Sequence, residues 1–154
     1  MTDKKTVLFL CTTNSCRSQM AEAFLRKHAG DRCDICSAGL EPTEIHPMTR
    51  RVMAEVGLDL HGQYAKGVRV YLGQFFVHYL IIVCAKANEN CPKLWPSVGQ
   101  RLFWAIDDPA YFQGTDDERL RQFRRLRDTI EARVLDWIKD LENAEESAAD
   151  VNHE

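Results

Sequence analysis

The chain has 154 residues, 45% of them hydrophobic, enough for one compact domain with a real core and too few for two. A formal net charge of -3 argues against recruitment to nucleic acid or an anionic membrane by the surface as a whole, so any anion site has to be local. The N-terminus lacks the long apolar core and cleavage site of a signal peptide, and no stretch nears the ~18 apolar residues of a membrane span, so a cytoplasmic location is expected.

Val7 to Cys11 reads as a buried strand, and Arg17 to His28 as a helix with apolar Met20, Ala23, Phe24 and Leu25, ended by Gly30. Cys33 to Ser37 is a second strand with a turn at Gly39. A helix from about His46 through Val56 follows, with Pro47 in its first turn and Gly57 as its stop. Val77 to Cys84 is the strongest apolar run and a third strand, and Arg101 to Ile106 a shorter fourth. From Thr115 a long helix repeats apolar residues at helical period from Leu120 to Leu141. The polar end after Glu142 is expected to fray, which assigns 1–144 to the domain and 145–154 to a disordered tail. Alternating strands and helices predict an α/β fold: a four-stranded parallel open sheet with helices on both faces.

In such sheets ligands bind beyond the carboxyl ends of the strands, where Cys11, Cys84 and Asp107-Asp108-Pro109 fall. The stretch Cys-Thr-Thr-Asn-Ser-Cys-Arg-Ser, residues 11–18, passes from strand to helix and aims backbone N–H groups and a helix dipole at one point. Thr12, Thr13, Asn14, Ser15 and Cys16 then form an oxyanion cradle, closed by the planar fork of Arg17. The same field favours thiolate at Cys11, with Ser18 placed to donate to the sulfur.

The octet resembles the phosphate loop of the low-molecular-weight tyrosine phosphatases, a cysteine, five residues and an arginine followed by Ser or Thr, on a flavodoxin-like sheet. Departure of an oxygen from a bound oxyanion needs a proton donor. Asp107 and Asp108 are adjacent carboxylates on a Pro-anchored loop beside Trp104, where desolvation and mutual repulsion raise one pKa, although Asp-Asp-Pro alone also suits a solvated turn. The resemblance selects Asp108, since the family's general acid immediately precedes Pro.

Cys84 and Cys91 exceed what a phosphatase needs, and by themselves read as an apolar strand end and an exposed thiol. A cysteine ending the third strand, six residues, then Cys-Pro looks like the thioredoxin-coupled arsenate reductases that share this fold, and the likeness runs from about Lys5 to Leu141 with Ser37-Ala38-Gly39 and Asp-Asp-Pro-Ala. It implies that Cys11 attacks arsenate, that Cys84 displaces arsenite to leave Cys11–Cys84, and that Cys91 moves the disulfide to Cys84–Cys91 for thioredoxin to reduce. Phosphate and sulfate, also tetrahedral oxyanions, are expected to compete, and no bound cofactor is expected, the electrons coming from thioredoxin. A regular helix over 84–91 separates its ends by about 10.5 Å, beyond the ~7 Å a disulfide tolerates, so the segment has to bend; Asn88, Asn90 and Pro92 suit a switch that loops out on oxidation. Two other readings stay open: a phosphomonoester phosphatase with idle extra thiols, and a non-catalytic oxyanion or redox sensor, which has no use for a general acid.

Thr13 stands where that family usually has Gly, which argues against positive φ there. Some members bind potassium near the loop, and Asn14, Glu22 and Ser37 suit such a site, but Lys66 stands near the expected carboxylate, so no metal is predicted. Tyr111 and Phe112 sit where phosphatases of this fold hold a phenyl ring, displaced by Ala110. Cys33 and Cys36, three apart on a strand, point to opposite faces, and no further pair completes a zinc set. The basic run Arg119 to Arg127 is interleaved with core positions and reads as a solvated helix face, not a nucleic-acid site.

Overall fold

The computed structural model describes residues 4–71, 73–91 and 97–151. Four strands, β1 Lys5–Cys11, β2 Cys33–Gly39, β3 Val77–Ile82 and β4 Val98–Phe103, form one sheet in the order β2-β1-β3-β4, every pair parallel. The helices are α1 Arg17–Ala29, α2 Pro47–Glu55, α3 Ala85–Asn90 and α4 Asp116–Val151. Chain order reverses between β1 and β3: the crossover to β2 runs one way, those to β3 and β4 the other. Right-handed crossovers then put α1 on one face and α3 on the other. β1 is central and reads as an unbroken apolar run because both faces are covered, with Val7, Leu8, Phe9 and Leu10 fully buried.

Local chemistry sets the ends. His46 caps α2, its Nδ1 accepting from Met48 N at 3.0 Å, with Pro47 next. Thr115 and Glu118 form a capping box for α4, Glu118 N donating to Thr115 Oγ1 at 3.2 Å and Thr115 Oγ1 to Glu118 Oε1 at 3.1 Å. The core locks through Phe9 against Trp104 and Tyr79 against Trp137, with ring centroids 5.8 and 5.2 Å apart.

Three expectations shift, and one segment that the sequence left open takes a definite form. β3 ends at Ile82, so Cys84 lies two residues past the ladder. β4 begins at Val98 and ends at Phe103, because the ladder pairs it with Val77 to Ile82 and the apolar Leu102-Phe103-Trp104 run is its end. Residues 85–90 are helical although Asn88 and Asn90 form helices poorly. The helix expected to fray after Glu142 continues to Val151, where Ala and Glu dominate and no breaker intervenes; residues 152–154 lie outside the described residues. Among the described residues no helix is long and apolar enough to cross a membrane.

Candidate active site

The C-terminal end of β1 turns through residues 12–16 into α1. The turn needs one left-handed residue and places Asn14 there, at φ 53°, a conformation asparagine tolerates; Thr13 has no positive φ. A strap running from Gly39 into α2 binds the outer side of the turn. Leu40 N, Glu41 N, Thr43 N and His46 N donate to the carbonyls of Cys11, Thr12, Thr13 and Ser15 at 3.1, 2.8, 3.0 and 3.0 Å. Gln19 Nε2 takes the Asn14 carbonyl at 3.0 Å. In a trans peptide the N–H opposes the preceding C=O. Fixing those five carbonyls outward therefore aims the N–H groups of Thr12, Thr13, Asn14, Ser15 and Cys16 inward, and the Asn14 N–H indeed meets Cys11 Sγ at 3.0 Å.

A second donor reaches that sulfur. Asn14 Nδ2 donates to Ser18 Oγ at 2.8 Å and to Ser37 Oγ at 3.0 Å, and Ser37 Oγ donates to Glu22 Oε1 at 2.6 Å. Ser18 Oγ is thus an acceptor toward Asn14 and turns its hydrogen to Cys11 Sγ, 2.8 Å away. The sequence reading has the loop lower the Cys11 pKa. In the structure burial is the largest influence and raises the thiol above its ordinary value; Ser18, Asn14 and Arg17 pull it down, and neighbouring Cys84 pushes it up. Cys11 therefore rests as a thiol surrounded by groups that stabilise its thiolate.

Cys11, Arg17, Cys84 and Asp108 line one cavity of about 770 Å³ together with Thr12, Thr13, Ser15 and Cys16. Asn14, expected among the anion contacts, turns its side chain to the back of the loop and is fully buried. Arg17 is held by the Ile106 carbonyl at 3.1 Å and lies 3.7 Å from Asp108 Oδ1. Asp108 is 40% exposed, and the same oxygen accepts from Ala110 N at 2.9 Å. The like-charged neighbour expected beside it is elsewhere: Asp107 lines a separate cleft with Phe112 and Gln122. Tyr111 stands at the rim, 81% exposed, whereas Phe112 packs edge-on against Phe123.

Cys84 is 2% exposed, and its sulfur is 3.3 Å from Thr12 Oγ1 and accepts from Ala87 N at 3.3 Å, capping α3. Cys91, read alone as an exposed thiol, is 3% exposed at the other end of α3, and burial raises its pKa. All six cysteines are reduced. Cys33 and Cys36 lie on β2, and burial raises both, Cys36 to about 12, which holds them protonated.

Behind the loop, Lys66 Nζ donates to the Tyr64 carbonyl at 2.7 Å and lies 4.0 Å from Glu22 Oε1, with both side chains buried. Asn14 Oδ1 accepts from Gln19 Nε2 at 2.9 Å and Lys66 N at 2.8 Å. Asn14, Glu22 and Ser37 thus turn their oxygens to donors of the chain itself, with the Lys66 ammonium beside them.

Sequence reasoning missed Gln19, the strap and His46. Gln19 carried a signal, a polar residue at a buried position of the first turn of α1, where it is fully buried. His46 stacks on Phe123, centroids 5.1 Å apart, lines the cavity and has its pKa lowered by burial and by Arg119.

A family model described as low molecular weight phosphotyrosine protein phosphatase matches residues 6–147. An arsenate reductase from Halalkalibacterium halodurans is 41% identical over 132 residues, 86% of this chain and 94% of that one. A solved structure described as an arsenate reductase in the phosphate binding state has a TM-score of 0.73 at 31% identity and covers 88% of this chain and 98% of its own. A thioredoxin-dependent arsenate reductase from Corynebacterium glutamicum has a TM-score of 0.69 at 25% identity, covering 93% of this chain and 64% of its own.

Proposed function

Because the chain belongs to the low molecular weight phosphotyrosine protein phosphatase family, we propose that its phosphate loop serves the reduction of arsenate to arsenite, with Cys11, Cys84 and Cys91 as a thiol relay and thioredoxin as electron donor. The observation that carries this reading is Cys84: a second buried thiol opens on the cavity of Cys11, joined to the loop through Thr12 at 3.3 Å. A phosphatase has no use for it there.

Arsenate binds to the inward N–H groups and Arg17, as phosphate or sulfate would in competition. Cys11 enters protonated and passes its proton to a dianionic oxyanion. Its thiolate, held by Ser18 and Asn14, attacks arsenic as an As–O bond breaks, and Asp108 gives a proton so that water leaves. Cys84 then gives its proton to an arsenic-bound oxygen and attacks Cys11 Sγ; the S–S bond forms, the As–S bond breaks, and its two electrons stay on arsenic, which departs as protonated arsenite. Cys91 attacks Cys84 Sγ, freeing Cys11 and leaving Cys84–Cys91 for thioredoxin. The relay requires a compartment that keeps dithiols reduced, so we assign the protein to the cytoplasm.

Exposed Tyr111 at the rim favours a second reading, hydrolysis of an aryl phosphate through a Cys11 phosphoenzyme. Arsenate-dependent NADPH oxidation with thioredoxin and thioredoxin reductase, with Cys84→Ser as control, separates the two. Turnover lost in the control is expected. Absence of turnover, with aryl phosphate hydrolysis intact in both proteins, would make the phosphatase reading the correct one.

A further inference from the structure

Between the relay cysteines α3 has six residues, too few for a helix to persist in water by itself. Something outside it must hold it. At its start the Cys84 sulfur caps Ala87 N at 3.3 Å. At its end the last carbonyls lack partners within the helix, and one of them is taken from the sheet: Arg101 Nη2, on β4, donates to the Asn88 carbonyl at 2.9 Å and reaches Asn88 Oδ1 at 3.3 Å. Arg101 pairs with Leu80 in the ladder, so its stem is fixed in the sheet and not in α3.

We infer that Arg101 is the latch of the relay, a positioning residue whose guanidinium holds 85–90 helical while Cys84 and Cys91 are reduced and releases it when they join. The inference rests on the relay reading above. In the step concerned, Cys91 thiolate attacks Cys84 Sγ of the Cys11–Cys84 bond. That bond breaks, Cys84–Cys91 forms, and Cys11 leaves as thiolate and takes the proton that Cys91 gave up, with no net transfer of electrons. Seven residues of helical rise, about 10.5 Å, exceed the ~7 Å a disulfide tolerates, so α3 has to open. The bonds from Asn88 N to Cys84 O and from Cys91 N to Ala87 O, 3.0 and 2.8 Å in the closed segment, are then lost along with the Arg101 contact. A contact made only in the helical form favours the reduced pair.

The test uses the full chain in a Cys11→Ser background, which isolates the Cys84/Cys91 couple, with Arg101→Met to keep the stem without donors and Arg101→Lys to keep the charge with a single point of contact. Each is equilibrated with a dithiothreitol redox buffer, and backbone amide exchange is followed in the reduced protein. Arg101→Met should favour the disulfide by about tenfold, the lower end for a hydrogen bond from a charged donor. That is a potential more negative by roughly 30 mV. The amides of Asn88 and Cys91 should exchange about tenfold faster with those of β1 unchanged, and Arg101→Lys should fall between. Wild-type potential and exchange in Arg101→Met would overturn the latch, as would acceleration spread evenly over β1 and β4, which marks a general structural role. If no Cys84–Cys91 disulfide forms at any buffer ratio, the relay fails instead, and the exchange measurement still decides whether Arg101 holds α3.

Discussion

Gly39→Ala tests whether the strap shapes the oxyanion loop. Gly39 ends β2 beside Cys11, its partner in the ladder. A Cβ built there meets Thr12 O at 2.7 Å, and Asn14 N and Thr13 C at 2.9 Å. All three are backbone atoms of the loop, so no side chain can swing aside. An ordinary contact begins near 3.4 Å, and the loop must therefore retreat by about 0.7 Å. Overpacking of this kind costs about 1–3 kcal/mol, and a displacement near 1 Å in a positioning element costs about a hundredfold in rate. The expected outcome is a folded protein, less stable in urea by about that amount, whose first chemical step falls roughly tenfold to a hundredfold. The assay is single-turnover formation of the Cys11 adduct by rapid quench, with arsenate affinity measured separately by competition with phosphate. A variant that loses stability but reacts at the wild-type rate would refute the reasoning, because the loop would then keep its geometry without the close backbone packing at Gly39.

Asp108→Asn keeps the oxygen that accepts from Ala110 N, so the loop should stand while the first adduct forms about a hundredfold to ten-thousandfold more slowly; an unchanged single-turnover rate would remove Asp108 as the acid. Lys66→Met deprives buried Glu22 of one partner and leaves Arg26 at 2.8 Å on the other oxygen. Its cost should be about 2 kcal/mol, below the ~3–5 kcal/mol of a fully severed buried pair, and a urea midpoint equal to wild type would sink the assignment. Burial holds the thiols of Cys16 and Cys36 up at about 12 against an ordinary 9.0. Between those values the folded chain keeps protons that the unfolded chain has released. Stability from these groups is therefore whole below pH 9 and should fall above it by up to about 1.4 kcal/mol per pH unit for each thiol. Lys66, lowered by burial, acts in the opposite sense. Urea midpoints that stay flat from pH 8 to 11 would contradict the shielding of buried Cys16 and half-buried Cys36 from water.

What the sequence disclosed and what it hid divide along one physical line. The apolar runs of β1 and β3, the period of α4 and the place of Cys11 at the end of β1 all depend on residues near one another in the chain, and these were legible, whereas Cys84 and Asp108 lie beyond the ladder ends at Ile82 and Phe103. The strap was not legible: its residues 40–46 have no period, and what matters about them is which carbonyls their N–H groups meet 29 to 31 residues back. The helix at 85–90 was hidden for the same reason, since Asn88 and Asn90 argue against it locally and Arg101, thirteen residues on from Asn88, supplies the bond that local propensity lacks.

Cys11 shows the division most sharply. Ser18, the Asn14 N–H and Arg17 all lie within the octet and all favour the thiolate. Read along the chain, they predict a lowered pKa. Burial belongs to the assembled fold, where the cavity wall is closed by Cys84, 73 residues away, and it outweighs them. The site therefore combines groups that stabilise the charge on sulfur with a burial that favours the protonated form. In the mechanism proposed above, such a thiol gives its proton to the arriving oxyanion, so that the thiolate forms where there is something bound for it to attack.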